Sequence, residues 1–164
     1  MKIRLARQED LPELLEIYNY EVEHGVATFD LHPKTLAERQ VWFDEHNKEN
    51  HPLIVAEVEG KVAGYASLSS YREKEAYRST VELSVYVGKE YRGQGVATAL
   101  MDEILKMARE DQSTHVVVSV ITAGNEASVR LHEKYGFTFC GTMHAVGMKF
   151  GEYRDIENYE LLVE

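Results

Sequence analysis

The stretch YRGQGVATALM, from Tyr91 to Met101, places two glycines, one residue apart, at the start of a helical pattern. Gly93 and Gly95 follow Arg92 and lead directly into apolar residues at helical spacing. Glycine adopts positive φ easily and lets a ligand approach the backbone. The first turn of a helix carries free N–H groups and a partial positive charge, which favour an anion. The stretch is therefore either a phosphate-binding loop or an ordinary strand-to-helix turn.

Two common nucleotide-binding motifs do not match this stretch. A P-loop needs a lysine directly after its second glycine, and here Val96 follows Gly95. A dinucleotide-binding loop needs a third glycine at the place of Thr98, and an acidic residue at a strand end about 20 residues further on. What remains is the pattern R-G-x-G followed by an aliphatic residue, between a strand and a long helix.

The apolar periodicity of the whole chain predicts the element order β-α-α-β-β-β-α-β-α-β-β. This order is neither a series of hairpins nor a regular βαβ repeat, so we expect an α/β fold in which a mixed sheet carries helices on both faces. The predicted segments are, in order, KIRLAR, DLPELLEIYNYEVEHG, TLAERQVWFDEH, two strands in LIVAEVEGKVAGYASLSSY, STVELSVYVG, GQGVATALMDEILKMARED, HVVVSVIT, NEASVRLHEKYG, FTFCGTMHAVGMKF and YRDIENYELLV.

Several residues fix the ends of these elements. Thr35 and Glu38 have the spacing of a helix capping box, and Asn125 is a helix N-cap. Gly136 is expected to end its helix in the left-handed conformation. The apolar run HVVVSVIT predicts a strand that is buried on both faces, and Cys140 in FTFCGT is expected to be buried strand packing.

Composition limits the classes of function. The 164 residues suit one domain spanning 1–164, and the net charge of −10 disfavours nucleic-acid binding. With a single cysteine, the chain cannot form an internal disulfide. The sequence contains no run of 18 apolar residues, so we expect no membrane-spanning helix. The first ten residues lack the apolar core of a signal peptide, so we expect a cytoplasmic protein.

Alternation within the predicted strand STVELSVYVG separates two kinds of side chain. The residues Val81, Leu83, Val85 and Val87 share one face, which we expect to be core. Glu82, Ser84 and Tyr86 share the other face. Glu82 is either a solvated carboxylate or a general base that accepts a proton from an amine. Tyr86 is more easily explained as an aromatic lining of a cleft than as a catalytic group.

Two other chemistries lack their motifs. The histidines are scattered without metal-ligand spacing, so no metal is expected. The nucleophile-elbow pattern G-x-S-x-G does not occur, which favours direct transfer over an acyl-enzyme.

Taken together, the glycine loop, the strand ELSVYV before it and the helix NEASVRLHEKYGF resemble the GNAT superfamily of N-acetyltransferases. The segments VATF, SSYREKEAYRSTVELSVYV, GNEASVRLHEKYGF and VGMKFGEYRDI resemble a narrower group within it, the phosphinothricin and methionine sulfoximine N-acetyltransferases. The resemblance covers essentially the whole chain. It implies the GNAT fold, with a mostly antiparallel seven-stranded sheet.

The resemblance also implies acetyl-coenzyme A as co-substrate and supplies candidate site residues. The catalytic candidate is Glu82, acting directly or through a water molecule. The backbone of the strand end is expected to pair with the pantetheine arm and polarise the thioester carbonyl. The implied cofactor-binding residues are Val85, Tyr86, Val87, Arg92, Gly93, Gln94, Gly95, Val96, Ala97, Thr98, Asn125, Ser128 and Lys134.

One position departs from the broad superfamily. Many relatives carry a tyrosine seven residues after the asparagine, where it protonates the leaving thiolate. Here that position is His132, which is equally well interpreted as a general acid or as a packed helix residue.

The resemblance implies an acceptor as well. It is a small α-amino acid analogue, phosphinothricin or methionine sulfoximine or sulfone, contacted by Phe29, Arg72, Lys74, Glu75 and Ala76. Two alternatives stay open: another amine acceptor, such as a peptide N-terminus, a polyamine or an aminoglycoside, and a non-catalytic acyl-coenzyme A sensor. The family's habit suggests a homodimer.

Overall fold

The computed structural model describes residues 1–164 and contains the helices and strands in the predicted order. The strands are β1 (Lys2–Leu5), β2 (Leu53–Val58), β3 (Lys61–Ser70), β4 (Thr80–Val87), β5 (Val116–Thr122), β6 (Thr138–Lys149) and β7 (Glu152–Leu162). The helices are α1 (Leu11–His24), α2 (Leu36–Asp44), α3 (Val96–Glu110) and α4 (Glu126–Lys134). None of the four helices combines the length and the apolarity needed to cross a bilayer.

All seven strands join one sheet in the order β1-β2-β3-β4-β5-β7-β6. Every neighbouring pair is antiparallel except β4 and β5, which confirms the mostly antiparallel sheet. The parallel pairing is short, because only 80–82 of β4 pair with 116–118 of β5. Beyond these three pairs β4 bonds only to β3, and β5 only to β7. We call the opening between 83–87 and 119–122 the wedge.

Helices cover both faces of the sheet, as predicted. The apolar stripe of α3 packs with α4 on one face, where Leu100, Ile104, Val81 and Leu83 belong to the larger buried cluster. On the other face α1 and α2 cover the middle strands around a smaller cluster centred on Tyr65. The face of β4 that carries Val81 and Leu83 is therefore core, and Glu82, Ser84 and Tyr86 point towards the α1–α2 side.

Local chemistry accounts for the ends of the elements. The capping box of α2 is complete, with Glu38 N–H donating to Thr35 Oγ1 at 3.1 Å and Thr35 N–H donating to Glu38 Oε1 at 3.0 Å. At the start of α4, Asn125 Oδ1 accepts from Ser128 N–H at 3.2 Å. Gly136, with φ of 88°, follows the end of this helix. These three predictions are confirmed.

Two expectations are wrong. The strand β5 is not buried on both faces: Val120 is 39% exposed, because α1 and α2 cover only β2 to β4 and leave the second face of β5 without a helix. Cys140 is exposed rather than buried, and its thiol donates to the Asn158 carbonyl at 3.2 Å. β6 is the outermost strand of the sheet, and the neighbouring Thr138 and Phe139 are exposed as well, so no other element covers this part of the strand.

Candidate active site

The glycine loop joins β4 to α3 and has the backbone that an anion site requires. Gly93 and Gly95 have φ of 75° and 81°, in the left-handed region that favours glycine. A Cβ added at either position would meet no atom within 4 Å, so both glycines face open space. Gly95 is the N-cap of α3, and no acidic residue lies in the first turn of that helix.

The N–H groups of this loop are free within the protein. The first helical bond of α3 runs from Ala99 N–H to the Gly95 carbonyl at 3.0 Å, and the N–H groups from Arg92 to Thr98 donate to no carbonyl. Seven consecutive donors at the positive end of a 15-residue helix suit a diphosphate. The candidate cofactor-binding residues Gln94, Val96 and Ala97 would therefore contact a ligand through their backbone N–H groups.

Two cationic side chains are candidates for binding an anion at the loop, and one of them already has an acidic partner. The Arg92 guanidinium donates to Glu21 at 2.6 Å, so a carboxylate of α1 already balances its charge. Lys134 at the end of α4 is exposed, and its ammonium lies 5.7 Å from the centre of the Tyr135 ring. Tyr135 in turn donates to the Asp102 carboxylate at 2.6 Å, and its hydroxyl oxygen lies 3.0 Å from the Thr98 carbonyl, so the end of α4 is held beside the first turns of α3. Lys134 is thus close to the loop without an acidic partner.

The strand end that leads into the loop forms one side of the wedge. Val85, Tyr86 and Val87 pair with Ala66, Tyr65 and Gly64 of β3, and they have no partner on the β5 side. The backbone groups that point into the wedge are available to a ligand. On the other side of the wedge, β5 ends at Thr122, and Asn125 and Ser128 open α4 just beyond it.

Glu82 lies at the narrow end of the wedge. It is the last residue of β4 that pairs with β5, opposite Val118, and it also pairs with Ser69 of β3. Its side chain is half-buried, and burial alone raises the pKa of its carboxyl above the ordinary value. Desolvation without a neighbouring cation is the environment expected of a carboxylate that accepts protons near neutral pH.

His132 is enclosed between α4 and the sheet. It is 5% exposed, and both of its ring nitrogens have partners: Nδ1 donates to the Ser128 carbonyl at 2.7 Å, and Nε2 accepts from the Ser119 hydroxyl at 2.8 Å. Burial lowers the pKa of the imidazole, which keeps it neutral. The geometry favours the interpretation of His132 as a packed helix residue over that of a general acid.

The candidate acceptor residues lie on the loop between β3 and β4, close to Glu82. Arg72 is exposed and has no acidic partner; its guanidinium lies 4.9 Å and 5.7 Å from the ring centres of Tyr71 and Tyr77. Lys74, Glu75 and Ala76 are exposed, and Glu75 is paired with Arg78 at 3.0 Å. The loop starts beside the pair Ser69–Glu82, so Arg72 is near the candidate base, whereas the glycine loop lies at the opposite end of β4.

Phe29 lies on the segment between α1 and α2 and packs against Gly147 of β6, where its ring fills the place that a Cβ would take. Two bonds fix the segment: the Thr122 hydroxyl donates to the Val26 carbonyl at 2.6 Å, and the Lys149 ammonium donates to the Thr28 carbonyl at 2.8 Å. Phe29 is therefore held at the boundary between the α1–α2 segment and the last two strands.

A cavity of about 600 Å³ between α2 and the sheet was not predicted from the sequence. Its inner wall includes Arg39, Trp42 and Tyr65, and Ser84 and Tyr86 of β4 also line it. The only signal in the sequence is the spacing of Arg39 and Trp42, three residues apart on one side of α2, and that spacing is equally typical of a packing face. Elsewhere, no three His, Cys, Asp or Glu side chains are grouped as metal ligands.

Comparison with known proteins agrees with this geometry. The model of the acetyltransferase (GNAT) family matches residues 12–137. An L-methionine sulfoximine/L-methionine sulfone acetyltransferase of Pseudomonas aeruginosa is 42% identical over 160 residues, covering 97% of this chain and 92% of that protein.

Solved structures give the same result. A ribosomal-protein-alanine N-acetyltransferase from Brucella melitensis superposes with a TM-score of 0.95 at 41% identity, covering 99% of both chains. A phosphinothricin acetyltransferase from Sinorhizobium meliloti, solved with acetyl-coenzyme A, has a TM-score of 0.92 at 34% identity, covering 98% of this chain and 87% of that one. A family model over most of the chain, whole-chain relatives and a shared fold lead to one conclusion: the chain belongs to the GNAT family and is an N-acetyltransferase.

Proposed function

We propose that this enzyme transfers an acetyl group from acetyl-coenzyme A to the α-amino group of a small amino acid analogue, such as methionine sulfoximine, methionine sulfone or phosphinothricin. The observation that carries the proposal is the arrangement along β4, with a row of free N–H donors at one end and a desolvated carboxylate at the other. The names of the relatives support the choice of acceptor.

The residues of the wedge fit the co-substrate. The free N–H groups from Arg92 to Thr98 would hold the diphosphate, with Lys134 beside them as a further cation. The unpaired edge of Val85 to Val87 would hydrogen-bond the pantetheine arm in the manner of an added strand, and Asn125 and Ser128 would contact the same arm from the other side of the wedge. When bound, acetyl-coenzyme A supplies the acetyl group as a reactive thioester.

Glu82 would act as the general base. An α-ammonium group is mostly protonated at pH 7 and must lose a proton before its nitrogen can attack a carbonyl. Glu82 lies where the wedge narrows, and its raised pKa makes it a stronger proton acceptor than an ordinary glutamate. It would take the proton directly or through one water molecule.

Backbone N–H groups at the end of β4 would stabilise the oxygen of the reacting carbonyl. That oxygen gains negative charge as the amine attacks, and fixed donors stabilise it most in a site that excludes water. These donors come from the strand end at Val85 to Val87, which is held in place by its pairing with β3.

Arg72 would orient the acceptor through its α-carboxylate. A guanidinium makes two parallel charge-assisted bonds to a carboxylate, and Arg72 has no acidic partner in the protein. The neighbouring residues Lys74, Glu75 and Ala76 would border the same end of the acceptor, and Phe29 would form a more distant wall. The amine would then lie between Arg72 and the thioester, next to Glu82.

We also propose that the enzyme is a homodimer. The strand β6 is the last strand of the sheet, and its apolar residues Met143, Val146 and Met148 are each about half exposed. An edge strand with exposed apolar side chains is a surface that associates with another chain unless it is covered. A second copy of the same strand would cover it.

Release of free coenzyme A over a panel of acceptors tests the proposal. The panel contains methionine sulfone, phosphinothricin, a polyamine and an alanine-starting peptide, since one structural relative is named for ribosomal-protein alanine. We expect the highest kcat/KM for the two amino acid analogues. Preference for the peptide or the polyamine would overturn the acceptor, and acetyl-coenzyme A binding without transfer to any acceptor would favour a sensor.

Arg72→Lys sharpens this test. Lysine keeps the charge but lacks the planar fork, so KM for an amino acid acceptor should rise by roughly 10- to 100-fold. An amine without a carboxylate should be acetylated at the same rate by both proteins. If Arg72→Lys changed KM equally for acceptors with and without a carboxylate, Arg72 would not be the residue that binds the carboxylate.

A further inference from the structure

The cavity between α2 and the sheet contains a buried cation that no anion neutralises. Arg39 is 7% exposed and lines the cavity. The one hydrogen bond of its guanidinium to the protein runs from Nη2 to the Tyr65 hydroxyl at 2.8 Å. Its Nε is buried and has no partner, the only such side-chain atom in the protein. No carboxylate lies within ion-pair distance of the guanidinium.

Aromatic rings cover the flat faces of this guanidinium. The guanidinium carbon lies 3.5 Å from the centre of the Trp42 ring and 4.1 Å from that of Tyr18. Stacking on aromatic rings stabilises a cation, but burial of an unpaired ion costs more than such stacking returns. Because both faces are occupied, a ligand can approach only in the plane of the group, where its N–H donors point.

The other charged residues around the cavity do not satisfy Arg39. Asp30 accepts from the Tyr18 hydroxyl and pairs with Lys34 at 3.7 Å. Glu38 is engaged in the capping box of α2, and Glu45 follows the end of that helix. Arg39 is therefore the one buried charge of the cavity wall, among aromatic rings and the hydroxyls of Ser67, Ser84 and Tyr86.

The cavity lies beside the candidate base. On this face of the sheet the pairs Tyr65–Tyr86, Ser67–Ser84 and Ser69–Glu82 follow one another along β3 and β4. Consecutive pairs on one face are about 6.6 Å apart, so the cavity begins one step from Glu82. Arg72 lies on the other side of Glu82, on the loop between these two strands. An amino acid whose amine is at Glu82 would extend its side chain towards Arg39.

We infer that Arg39 binds an oxo group on tetrahedral sulfur or phosphorus at the end of the acceptor's side chain. This inference rests on the proposed function, and it gives the two arginines separate roles: Arg72 holds the α-carboxylate, and Arg39 holds the sulfone, sulfoximine or phosphinate oxygen. The aromatic residues of the cavity wall would surround the methylene groups that connect the acceptor's α-carbon to its oxo group. The cavity thus selects amino acids that carry such an oxygen over those with a plain thioether.

Methionine sulfone and methionine differ only in the two oxygens on sulfur, so they are the matched acceptors for the test. In the wild-type enzyme the sulfone should have the higher kcat/KM. Arg39→Met removes the cation and keeps an unbranched side chain; it should lower kcat/KM for the sulfone by about 10- to 100-fold, the loss of a hydrogen bond from a charged donor. Methionine should react with both proteins at similar rates. Arg39→Lys, which keeps the charge without the fork, should give an intermediate loss for the sulfone.

Arg109→Met is the control, since Arg109 is exposed on α3. Melting temperature and acetyl-coenzyme A affinity are measured for every variant, so that a folding defect is recognised. Equal losses for both acceptors in a folded Arg39 variant overturn the inference while leaving the proposed function intact. If the wild type acetylates no amino acid, the proposed function fails, and calorimetry with the same two compounds decides the inference: equal affinity for methionine and its sulfone overturns it.

Discussion

The environment of Glu82 follows from its place in β4. Alternation turns it away from the core, and the end of the β4–β5 pairing leaves it beside the wedge. Burial without a cationic neighbour raises the pKa of its carboxyl, so the ionised form is disfavoured in the folded protein. A residue kept in an unfavourable charge state is typical of a functional site rather than of a stabilising contact.

Glu82→Gln keeps the shape of the side chain and removes its ability to accept a proton. We expect kcat/KM at pH 7 to fall by roughly 10²- to 10⁴-fold, because that is the usual contribution of a general base. The wild-type kcat/KM should rise with pH through the raised pKa of Glu82. The variant should lose this rise and recover partly at high pH, where the amine is already neutral.

The stability of the same variant provides a second measurement. The folded-state pKa of Glu82 is raised, so its contribution to stability is fully present below the unfolded-state pKa and is lost as pH rises through the folded-state pKa. The melting temperature of Glu82→Gln at pH 7 should therefore equal or exceed that of the wild type. If the Glu82→Gln variant turned over as fast as the wild type at every pH, Glu82 would be excluded as the base.

The loop before α3 combines two features that can be predicted from the sequence: glycines with positive φ and free N–H donors at the start of a helix. Its glycines adopt the positive φ that the motif predicts, and the helix that follows supplies the free donors. Both properties are local, which is why residues 91–101 are sufficient to predict them. The affinity for a diphosphate should therefore depend on the backbone of this loop rather than on its side chains.

Gly95→Val introduces a side chain where the diphosphate would lie. We expect the Kd for acetyl-coenzyme A, measured by calorimetry, to rise by roughly 10-fold or more, as for the loss of charge-assisted bonds. Gly60→Val is the matched control. Gly60 also has positive φ, at 76°, with nothing within 4 Å of an added Cβ, but it lies in the turn between β2 and β3. If both variants bind the co-substrate as the wild type does, the loop is not its site.

Helix α4 is fastened to the sheet by His132, and this attachment should depend on pH. Burial lowers the pKa of the imidazole in the folded protein, so its contribution to stability is present above the unfolded value of about 6.5 and is lost as pH falls below it. His132→Gln should lower the free energy of unfolding at pH 7 by about 1–3 kcal/mol through its lost hydrogen bonds. It should also reduce the loss of stability between pH 7 and pH 5, measured by urea unfolding.

The same variant tests the alternative role of His132. A packed residue leaves chemistry unchanged, so folded His132→Gln should keep kcat close to the wild-type value at 25 °C. A large fall in kcat with normal acetyl-coenzyme A binding would instead support His132 as the general acid. His46, which is also buried with a lowered pKa, explains why some pH dependence should remain in the variant.

The elements and the conformation of the glycine loop could be predicted because their signals are local: periodicity, caps and turn residues. The cavity around Arg39 could not, because it depends on three residues far apart in the chain, Tyr18, Arg39 and Tyr65. The errors at Val120 and Cys140 have the same origin. Hydrophobicity predicts that a strand residue prefers burial, but only the positions of other elements determine whether anything covers it.

At the scale of the whole molecule, the two edges of the sheet differ. The edge strand β1 has four residues, whereas β6 has twelve and carries the exposed side chains of Met143, Val146 and Met148. Val146→Glu combined with Met148→Glu should raise the dimer dissociation constant at least about 10-fold, because it would bury unpaired charges. Sedimentation equilibrium measures this change. Leu5→Glu, at the opposite edge, is the control, and a wild type that sediments as a monomer at high concentration would contradict the proposed homodimer.

Because only three residue pairs join β4 to β5, hydrogen exchange in β4 should reveal whether a ligand is bound in the wedge. Amide hydrogens that point into the wedge have no strand partner, so they should exchange with deuterium quickly in the free enzyme. A ligand that adds its own hydrogen bonds along 83–87 should slow that exchange, while the amides bonded to β3 change little. Mass spectrometry of the peptides covering β4 would therefore detect filling of the wedge in the absence of any turnover.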